Sequence, residues 1–255
     1  MAAQLYLARP QQAAGGLALA MPALWRGEGG QDQGARPYQE DSWALHTLSG
    51  GTMLAVLADG MGGHAGGAVA SKLAVDVFLK AIQEGRSLAE GLQEANAAVG
   101  ASAANKPELN GMGTTLVGAL VNDDEVRWIS VGDSPFYLVA DGKVERLNAD
   151  HSFVPQINAM LERGMITPEE ATHHPSRHAL REAVMGQPLT LIDEGKRKLA
   201  AGMTLLVCSD GVESLGHDKI AGAASRPVRQ LLDAVLAVGK PHQDNVTIIK
   251  LDRQA

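Results

Sequence analysis

The chain of 255 residues is poor in cysteine, aromatic side chains and positive charge. Its one cysteine, Cys208, cannot form an internal disulfide, which fits a reducing compartment. Aromatic residues make up 4% of the chain and the formal net charge is −7. The stacking surfaces and the positive charge that nucleic-acid binding requires are therefore both scarce, and we expect no nucleic-acid partner.

Long hydrophobic runs are also missing. Gly15, Gly16 and Pro22 interrupt the apolar-leaning patch at 13–24, so no stretch approaches the roughly 18 continuous apolar residues of a membrane span. We see no convincing secretion signal either, and we expect a cytoplasmic protein that does not bind a membrane. The hydrophobic content of 45% suffices for one globular domain over residues 1–255, and nothing requires more than a monomer.

What the sequence does contain is a repeated pattern of acids at the ends of apolar runs. The run 53–58 ends in Asp59, and five glycines follow within eight residues. A hairpin between 43–47 and 53–58 would carry two more acids to the same sheet edge. Neighbouring antiparallel strands share their edges, so the acids of the other runs could converge there as well. The acids are Glu40, Asp41, Asp59, Asp133, Asp210 and Asp244.

Converging carboxylates cannot all stay ionised without cations, because like charges at short range raise one another's pKa. Hard oxygen ligands, with no Cys-x-x-Cys or His-Glu-x-x-His motif, indicate magnesium or manganese rather than zinc. Two such ions about 3.5–4 Å apart would bridge a water and activate it for direct attack on phosphorus. Arg36, four residues before Glu40, is placed to supply a bidentate clamp for phosphoryl oxygens.

The remaining pattern predicts alternating layers of helices and strands. Helices are expected over about 67–84 and 88–106, followed by an antiparallel meander of four strands over 114–147. Residues 148–198 are interpreted as helical and irregular, and residues 1–34 as weakly patterned, ending in a glycine-rich polar loop. A strand at 203–208, a helix at about 226–238 and a strand at 246–251 complete the chain. Asp141-Gly142 is typical of a plain turn.

Seven short motifs occur in a fixed order along the chain. They are Arg36-x-x-x-Glu40-Asp41, Ala58-Asp59-Gly60-Met61-Gly62-Gly63-His64, Gly113-Thr114-Thr115, Val131-Gly132-Asp133-Ser134, Asp150-His151-Ser152, Ser209-Asp210-Gly211 and Asp244-Asn245-Val246-Thr247. The series resembles that of bacterial type 2C metal-dependent serine/threonine protein phosphatases. Each motif alone is weak, but the ordered set is specific and spans nearly the whole chain.

The resemblance implies an α+β fold, a sandwich of two antiparallel β-sheets flanked by α-helical layers, with metals in a cleft at one end. It implies phosphoserine or phosphothreonine proteins as substrates, two manganese or magnesium ions with a third in some members, and an opposing Ser/Thr kinase as partner. Residues 151–185 would correspond to the flap that bacterial members carry beside the cleft.

Residue roles follow from the same resemblance. Asp59 would bridge two ions, with Asp210 and Asp244 completing the shell of one, and Glu40 and the carbonyl of Gly60 serving the other. Asp133 and Asp210 would hold the third ion. Arg36 would bind the substrate phosphate, and Asp41 would act from behind the metal ligands.

The sequence departs from the family pattern at a few positions. Gln39 replaces a usual asparagine, and Pro135 stands where an arginine is common. Met61 stands where animal members have a histidine proposed as general acid, and His64 is one candidate for that role.

Two alternatives remain. Gly60-x-Gly62-x-x-Ala65 satisfies a dinucleotide-binding pattern, but Glu84, about where the ribose-binding acid should be, lies at a helix end instead of a strand end. The other is a catalytically weak or inactive module of the same fold that only binds phosphoproteins.

Overall fold

The computed structural model describes residues 5–7, 24–62, 65–177 and 179–254. The strands are β1 (Leu5–Leu7), β2 (Trp25–Asp32), β3 (Asp41–Thr47), β4 (Met53–Met61), β5 (Gly113–Thr114), β6 (Leu116–Asn122), β7 (Glu125–Val131), β8 (Phe136–Ala140), β9 (Lys143–Arg146), β10 (Asp193–Lys198), β11 (Thr204–Cys208) and β12 (Val246–Arg253). The helices are α1 (Ala65–Gln83), α2 (Leu88–Asn105), α3 (Val154–Glu162), α4 (Pro168–Thr172), α5 (His217–Ala223) and α6 (Val228–Leu236).

The strands form two six-stranded sheets in which every pairing is antiparallel. The first sheet has the order β1-β2-β12-β11-β8-β9. The second has the order β10-β7-β6-β4-β3, with β5 paired to the end of β4. Strands that are distant in sequence thus become neighbours at the centre of each sheet.

Three apolar layers hold the sheets and helices together. The first lies between the sheets and includes Leu57 and Phe136. The second packs α1 and α2 against the second sheet around Phe78, and the third packs α5 and α6 against the first sheet around Leu231. The predicted four-layer α-β-β-α sandwich is therefore confirmed. Within the part of the chain that the structure describes, none of the helices has both the length and the apolarity of a membrane span.

The predicted meander over 114–147 is wrong. β6 and β7 form a hairpin in the second sheet, whereas β8 and β9 form a hairpin in the first. Gly132, at φ +99°, and Pro135 carry the chain across the sandwich, and Cys208 N donates to Pro135 O as β8 joins β11. Residues alternate between the two faces in the same way along the strands of both sheets. The sequence pattern therefore does not show that the chain crosses from one sheet to the other. The turn at Asp141-Gly142 is confirmed, with φ of +50° and +71°.

Strand β2 lies in the region predicted to be a polar loop. Its glycines face large side chains: a Cβ on Gly27 would overlap Met53 and Leu45, and one on Gly29 would overlap the ring of Trp43. Packing therefore favours glycine here, most strongly at Gly29 against the rigid ring of Trp43, although glycine is usually a signal against strands.

Two further elements were not predicted. Strand β10 lies in the region interpreted as helical and irregular, where its charged residues suit the edge of a sheet. Helix α5 is too short for its periodicity to stand out.

Candidate active site

The β3–β4 hairpin brings the first acids together. Asp41 at the start of β3 lies opposite Asp59 near the end of β4 in the strand register. The next residue, Gly60, donates its N–H to the Glu40 carbonyl over 3.2 Å. The predicted hairpin and its placement of Glu40 and Asp41 beside Asp59 are therefore confirmed.

The first sheet delivers Asp210 and Asp244 to the same end of the sandwich. Asp210 begins a 3-10 turn directly after β11, and Asp244 lies just before β12. Ser209 N donates to Thr247 O over 3.1 Å, which holds the two strand ends side by side. The acids thus come from two sheets rather than from one sheet edge.

Asn245 joins the two sets of loops. Its Oδ1 accepts the Glu40 N–H at 2.8 Å, and its Nδ2 donates to the carbonyls of Gln33 and Tyr38 at 2.8 and 2.9 Å. One side chain therefore fixes the loop that carries Glu40 to the residue that follows Asp244. Sequence reasoning noted Asn245 only as part of a motif and missed this role.

Asp41 lies beneath the site. It is 4% exposed, and its Oδ2 accepts a hydrogen bond from Thr247 Oγ1 at 2.7 Å. In the described part of the chain, its buried Oδ1 has no hydrogen-bond donor in place. Burial, with a smaller contribution from the charge of Asp244, raises the pKa of Asp41 to about 6 despite the hydrogen bond from Thr247.

The pKa shifts of the other acids show that the carboxylates interact electrostatically. Burial raises the pKa of Asp59 well above its ordinary value, and the charges of the neighbouring acids add to the shift; they are Asp41, Asp210, Asp133 and Asp244. Burial, together with the charges of Asp133 and Asp244, raises the pKa of Asp210 to about 8. Burial and the charge of Asp150 raise the pKa of Asp133 to about 6. The cluster therefore favours protons or cations over free negative charge.

The donor set fits hard divalent cations. All the side-chain donors are carboxylate oxygens, which suit magnesium or manganese. A Cβ on Gly60 would overlap the carbonyl oxygens of Gly67 and Glu40, so only glycine lets the chain pass this closely. Among the side chains that the structure describes, no three acids, histidines or cysteines are grouped tightly enough to hold an ion alone. Magnesium in proteins commonly takes one or two carboxylates and keeps several waters.

Arg36 supplies the cationic group. Its Nη2 donates to Asp244 Oδ2 at 2.6 Å, and its side chain is 49% exposed. This hydrogen bond is the main cause that raises the pKa of Arg36. The loop is held because Ala35 N donates to Gln243 O and Gln33 Nε2 donates to Arg36 O, at 2.8 and 2.7 Å. Arg36 therefore stands where it can contact both the acids and a ligand.

The site opens into a cleft of about 630 Å³. Among the residues that line it are Arg36, Asp133, Asp150, Asp210 and Asp244 together with Arg146 and Arg177. Sequence reasoning missed Arg146, whose Nη2 donates to the Asp133 carbonyl at 2.6 Å. The guanidinium also lies 3.6 Å from both Asp150 and Glu213. Arg146 thus brings positive charge to the Asp133 loop, beside the proline that stands where relatives commonly have arginine.

The family comparison agrees with this geometry. Residues 29–250 match the model of the family described as "Protein phosphatase 2C". The chain belongs to the protein phosphatase 2C family.

Named relatives of this phosphatase family cover most of the chain. The serine/threonine protein phosphatase PstP of Mycobacterium tuberculosis is 36% identical over 220 residues, covering 79% of this chain and 40% of that protein. The chain thus spans about two fifths of the length of the curated relatives it matches first. Stp1 from Staphylococcus aureus has a crystal structure with a TM-score of 0.79 and 29% identity, covering 95% of this chain and all of that one.

A further solved structure contains metal. It is the catalytic domain of PstP in complex with two manganese ions, with a TM-score of 0.74 and 31% identity, covering 91% of this chain and 99% of that one. A relative with the same fold therefore binds two divalent metal ions.

The dinucleotide-binding alternative fails on the fold. It needs a parallel sheet, whereas β4 has antiparallel partners on both sides and is followed by two successive helices. Of the departures from the phosphatase 2C pattern, Met61 pairs with Gly113 at the end of β4. His64, the side chain suggested as general acid, lies outside the described residues.

Proposed function

We propose that this protein is a metal-dependent phosphatase that hydrolyses phosphoserine and phosphothreonine on proteins. The observation that carries the proposal is a set of interacting carboxylates: Asp133, Asp210 and Asp244 line one cleft with Arg36. Their charges raise the pKa of the buried Asp59. Membership of the phosphatase 2C family and the manganese complex of a relative support it.

The same acids are proposed to hold the metals. Asp59 would bind two manganese or magnesium ions, Asp210 and Asp244 would complete the shell of one, and Glu40 and the Gly60 carbonyl would serve the other. When bound, such ions supply an activated water for direct attack on the phosphorus atom. Asp133 together with Asp210 would accept a third ion.

Other side chains would bind and orient the substrate. The guanidinium of Arg36 has five N–H donors, of which one is bonded to Asp244, so the others can donate to phosphoryl oxygens. Asp41 would position the metal-binding acids from beneath the site. It lies opposite Asp59 in the strand register and is itself fixed by the hydrogen bond from Thr247. No protein nucleophile is required, because the attacking group is water.

The wider context also belongs to the proposal. We infer that residues 1–255 form one catalytic domain in which residues 151–185 act as a flap; Ser152, Val154 and Arg177 of this segment line the cleft. We further infer a cytoplasmic monomer that acts in signal transduction and opposes a bacterial Ser/Thr kinase, with that kinase among its substrates. A phosphoserine or phosphothreonine on the surface of another protein would enter the cleft from the open end of the sandwich.

The test is phosphate release from a phosphothreonine peptide by the purified chain, titrated with Mn²⁺ and with Mg²⁺ and compared with EDTA. We expect turnover only with metal and its loss in Asp59→Asn. The matched control is Asp141→Asn, which makes the same change in an exposed turn and should keep the activity. Release of phosphate in EDTA, or full activity in Asp59→Asn, would contradict the proposal.

An inactive phosphoprotein-binding module is not favoured. All six predicted acids and Arg36 are present, and a protein that only binds phosphoproteins has no need of the full set. Binding of the phosphopeptide by folded protein, without turnover in any metal, would support that alternative instead.

A further inference from the structure

A buried asparagine on α2 is bonded to residues 185–187, at the end of the flap segment and just beyond it. Asn96 is 5% exposed, and its Nδ2 donates to Gln187 O at 2.7 Å. Its Oδ1 accepts the N–H groups of Met185 and Gly186 at 3.1 and 2.8 Å. Three hydrogen bonds from one side chain therefore hold three consecutive residues that lie about 90 positions away in the sequence.

Backbone packing reinforces this clasp. Gly186 has φ +91°, and a Cβ on it would overlap the Cα of Gly100, one turn after Asn96 on the same helix. A Cβ on Gly100 would likewise overlap Gly186. The helix and the segment approach with no side chain between them, and the hydrogen bonds of Asn96 fasten the segment at this contact.

The clasped segment continues directly into the site. Val184 exchanges two backbone hydrogen bonds with Thr114, at 2.9 and 3.0 Å. Thr114 in turn lies opposite Gly60 in the strand register, and its Oγ1 donates to the Asp59 carbonyl at 2.8 Å. Asp59 has its own support from Thr115, whose Oγ1 accepts the Asp59 N–H at 2.9 Å. The backbone of Asp59 therefore keeps its hydrogen bond to Thr115 when the hydrogen bonds of Asn96 to residues 185–187 are removed.

Towards its N-terminal side, the segment leads to the wall of the cleft. Arg181 N donates to His151 O at 2.8 Å, and Phe153 N donates to Ala179 O at 3.1 Å, so the flap leaves and re-enters the fold at one place. Between these points, Val154 and Arg177 line the cleft. Residues 185–187 follow this base of the flap four positions after Arg181, so they are the next fixed point of the chain after the cleft wall.

We propose that Asn96 is a positioning residue for protein substrates: by clasping residues 185–187 it sets the place of the flap beside the cleft. The inference rests on the proposed phosphatase function. The proposed role of Asn96 should affect the hydrolysis of two groups of substrates differently. A phosphopeptide must pass the flap, whereas a small ester such as para-nitrophenyl phosphate needs only the metals and Arg36.

The kinetic test compares Asn96→Ala with Asn105→Ala, both well below their unfolding temperatures. Asn105 is on the same helix, but its side chain donates only to Ala101 O in the turn before it. We expect Asn96→Ala to raise KM for a phosphothreonine peptide about five- to tenfold, with kcat and the Mn²⁺-dependent hydrolysis of para-nitrophenyl phosphate within about twofold of the wild type. The control should change neither.

Hydrogen exchange provides the second readout. In Asn96→Ala the amides of Met185 and Gly186 should lose protection, while that of Val184, bonded to Thr114, should keep it. Asn96→Asp retains the acceptor for those two amides, so it should restore their protection and part of the peptide KM. This variant also serves if the alanine variant does not fold.

Equal losses on both substrates would overturn the inference, because they would show a general structural role. An unchanged peptide KM, or unchanged protection at Met185 and Gly186, would overturn it as well. If the wild type releases phosphate from neither substrate, the proposed function fails, and the exchange experiment still decides whether Asn96 holds the segment.

Discussion

The metal-free protein should lose stability as the pH rises from 5 to 8. Burial raises the pKa of Asp41 and Asp133 to about 6 and that of Asp210 to about 8, each from an ordinary value near 4. Through these acids the folded state binds more protons in this range than the unfolded state, so the free energy of unfolding falls with pH. Burial lowers the pKa of His151, which acts in the opposite direction, but it is one group against several acids. Glutamates whose pKa is lowered by capping bonds, such as Glu90 and Glu170, are ionised throughout this range and do not oppose the trend.

The magnitude follows from the shifts. A pKa raised by about two units, as for Asp133, corresponds to about 3 kcal/mol, which access of water to this partly exposed group reduces to about 2 kcal/mol. The acids are coupled, so their shifts do not add in full. For the cluster as a whole we expect a loss of about 3–5 kcal/mol between pH 5 and pH 8.

The assay is urea unfolding in EDTA at pH 5 and pH 8, repeated with Mn²⁺. Asp210→Asn removes an acid whose pKa is raised to about 8, so the metal-free variant should exceed the wild type by about 2 kcal/mol there and match it at pH 5. Asp141→Asn is the control and should follow the wild type. Mn²⁺ should stabilise the wild type more than Asp210→Asn. Metal-free stability that stays constant or rises from pH 5 to 8 would refute the reasoning.

Two further changes test the substrate clamp and the packing of the first sheet. Arg36→Ala should lower kcat/KM for a phosphopeptide about 10- to 100-fold, the loss of about 1.4–3 kcal/mol from a charged contact, without abolishing Mn²⁺ binding measured by calorimetry; unchanged kinetics would contradict its role. Gly29→Ala should lower the free energy of unfolding by about 1–3 kcal/mol, because its Cβ would overlap Trp43. Gly222→Ala, where a Cβ meets nothing, is the matched control in the same urea titration.

The acids could be predicted from the sequence because their signal is local. A long apolar run such as 53–58 predicts a central strand, and the residue that ends it must emerge at the edge of the sheet. The register of Asp41 with Asp59 confirms this reasoning. The sequence could not show that the acids come from two sheets, because strands alternate in the same way whichever sheet they join.

The missed features depend on partners far away in the chain. Gly27 and Gly29 suit a strand because the side chains of Met53 and Trp43 pack against them, and these contacts exist only in the folded chain. Arg146 reaches the Asp133 carbonyl across 13 positions, and Asn96 reaches Met185 across 89. No periodicity or spacing connects such residues, so only the folded chain reveals them.

The pairing of Asp41 with Asp59 makes the length of a distant surface turn matter for the site. Strands β3 and β4 are paired without interruption from Asp41–Asp59 to Thr47–Met53, about 20 Å away, where the turn around Gly50 and Gly51 reverses the chain. Such exposed turns usually tolerate insertions. Here one added or deleted residue that shifts the register would turn alternate side chains to the opposite face of the sheet. An insertion in this turn that shifts the register would therefore disrupt the pairing of Asp41 with Asp59 from the far end of the hairpin.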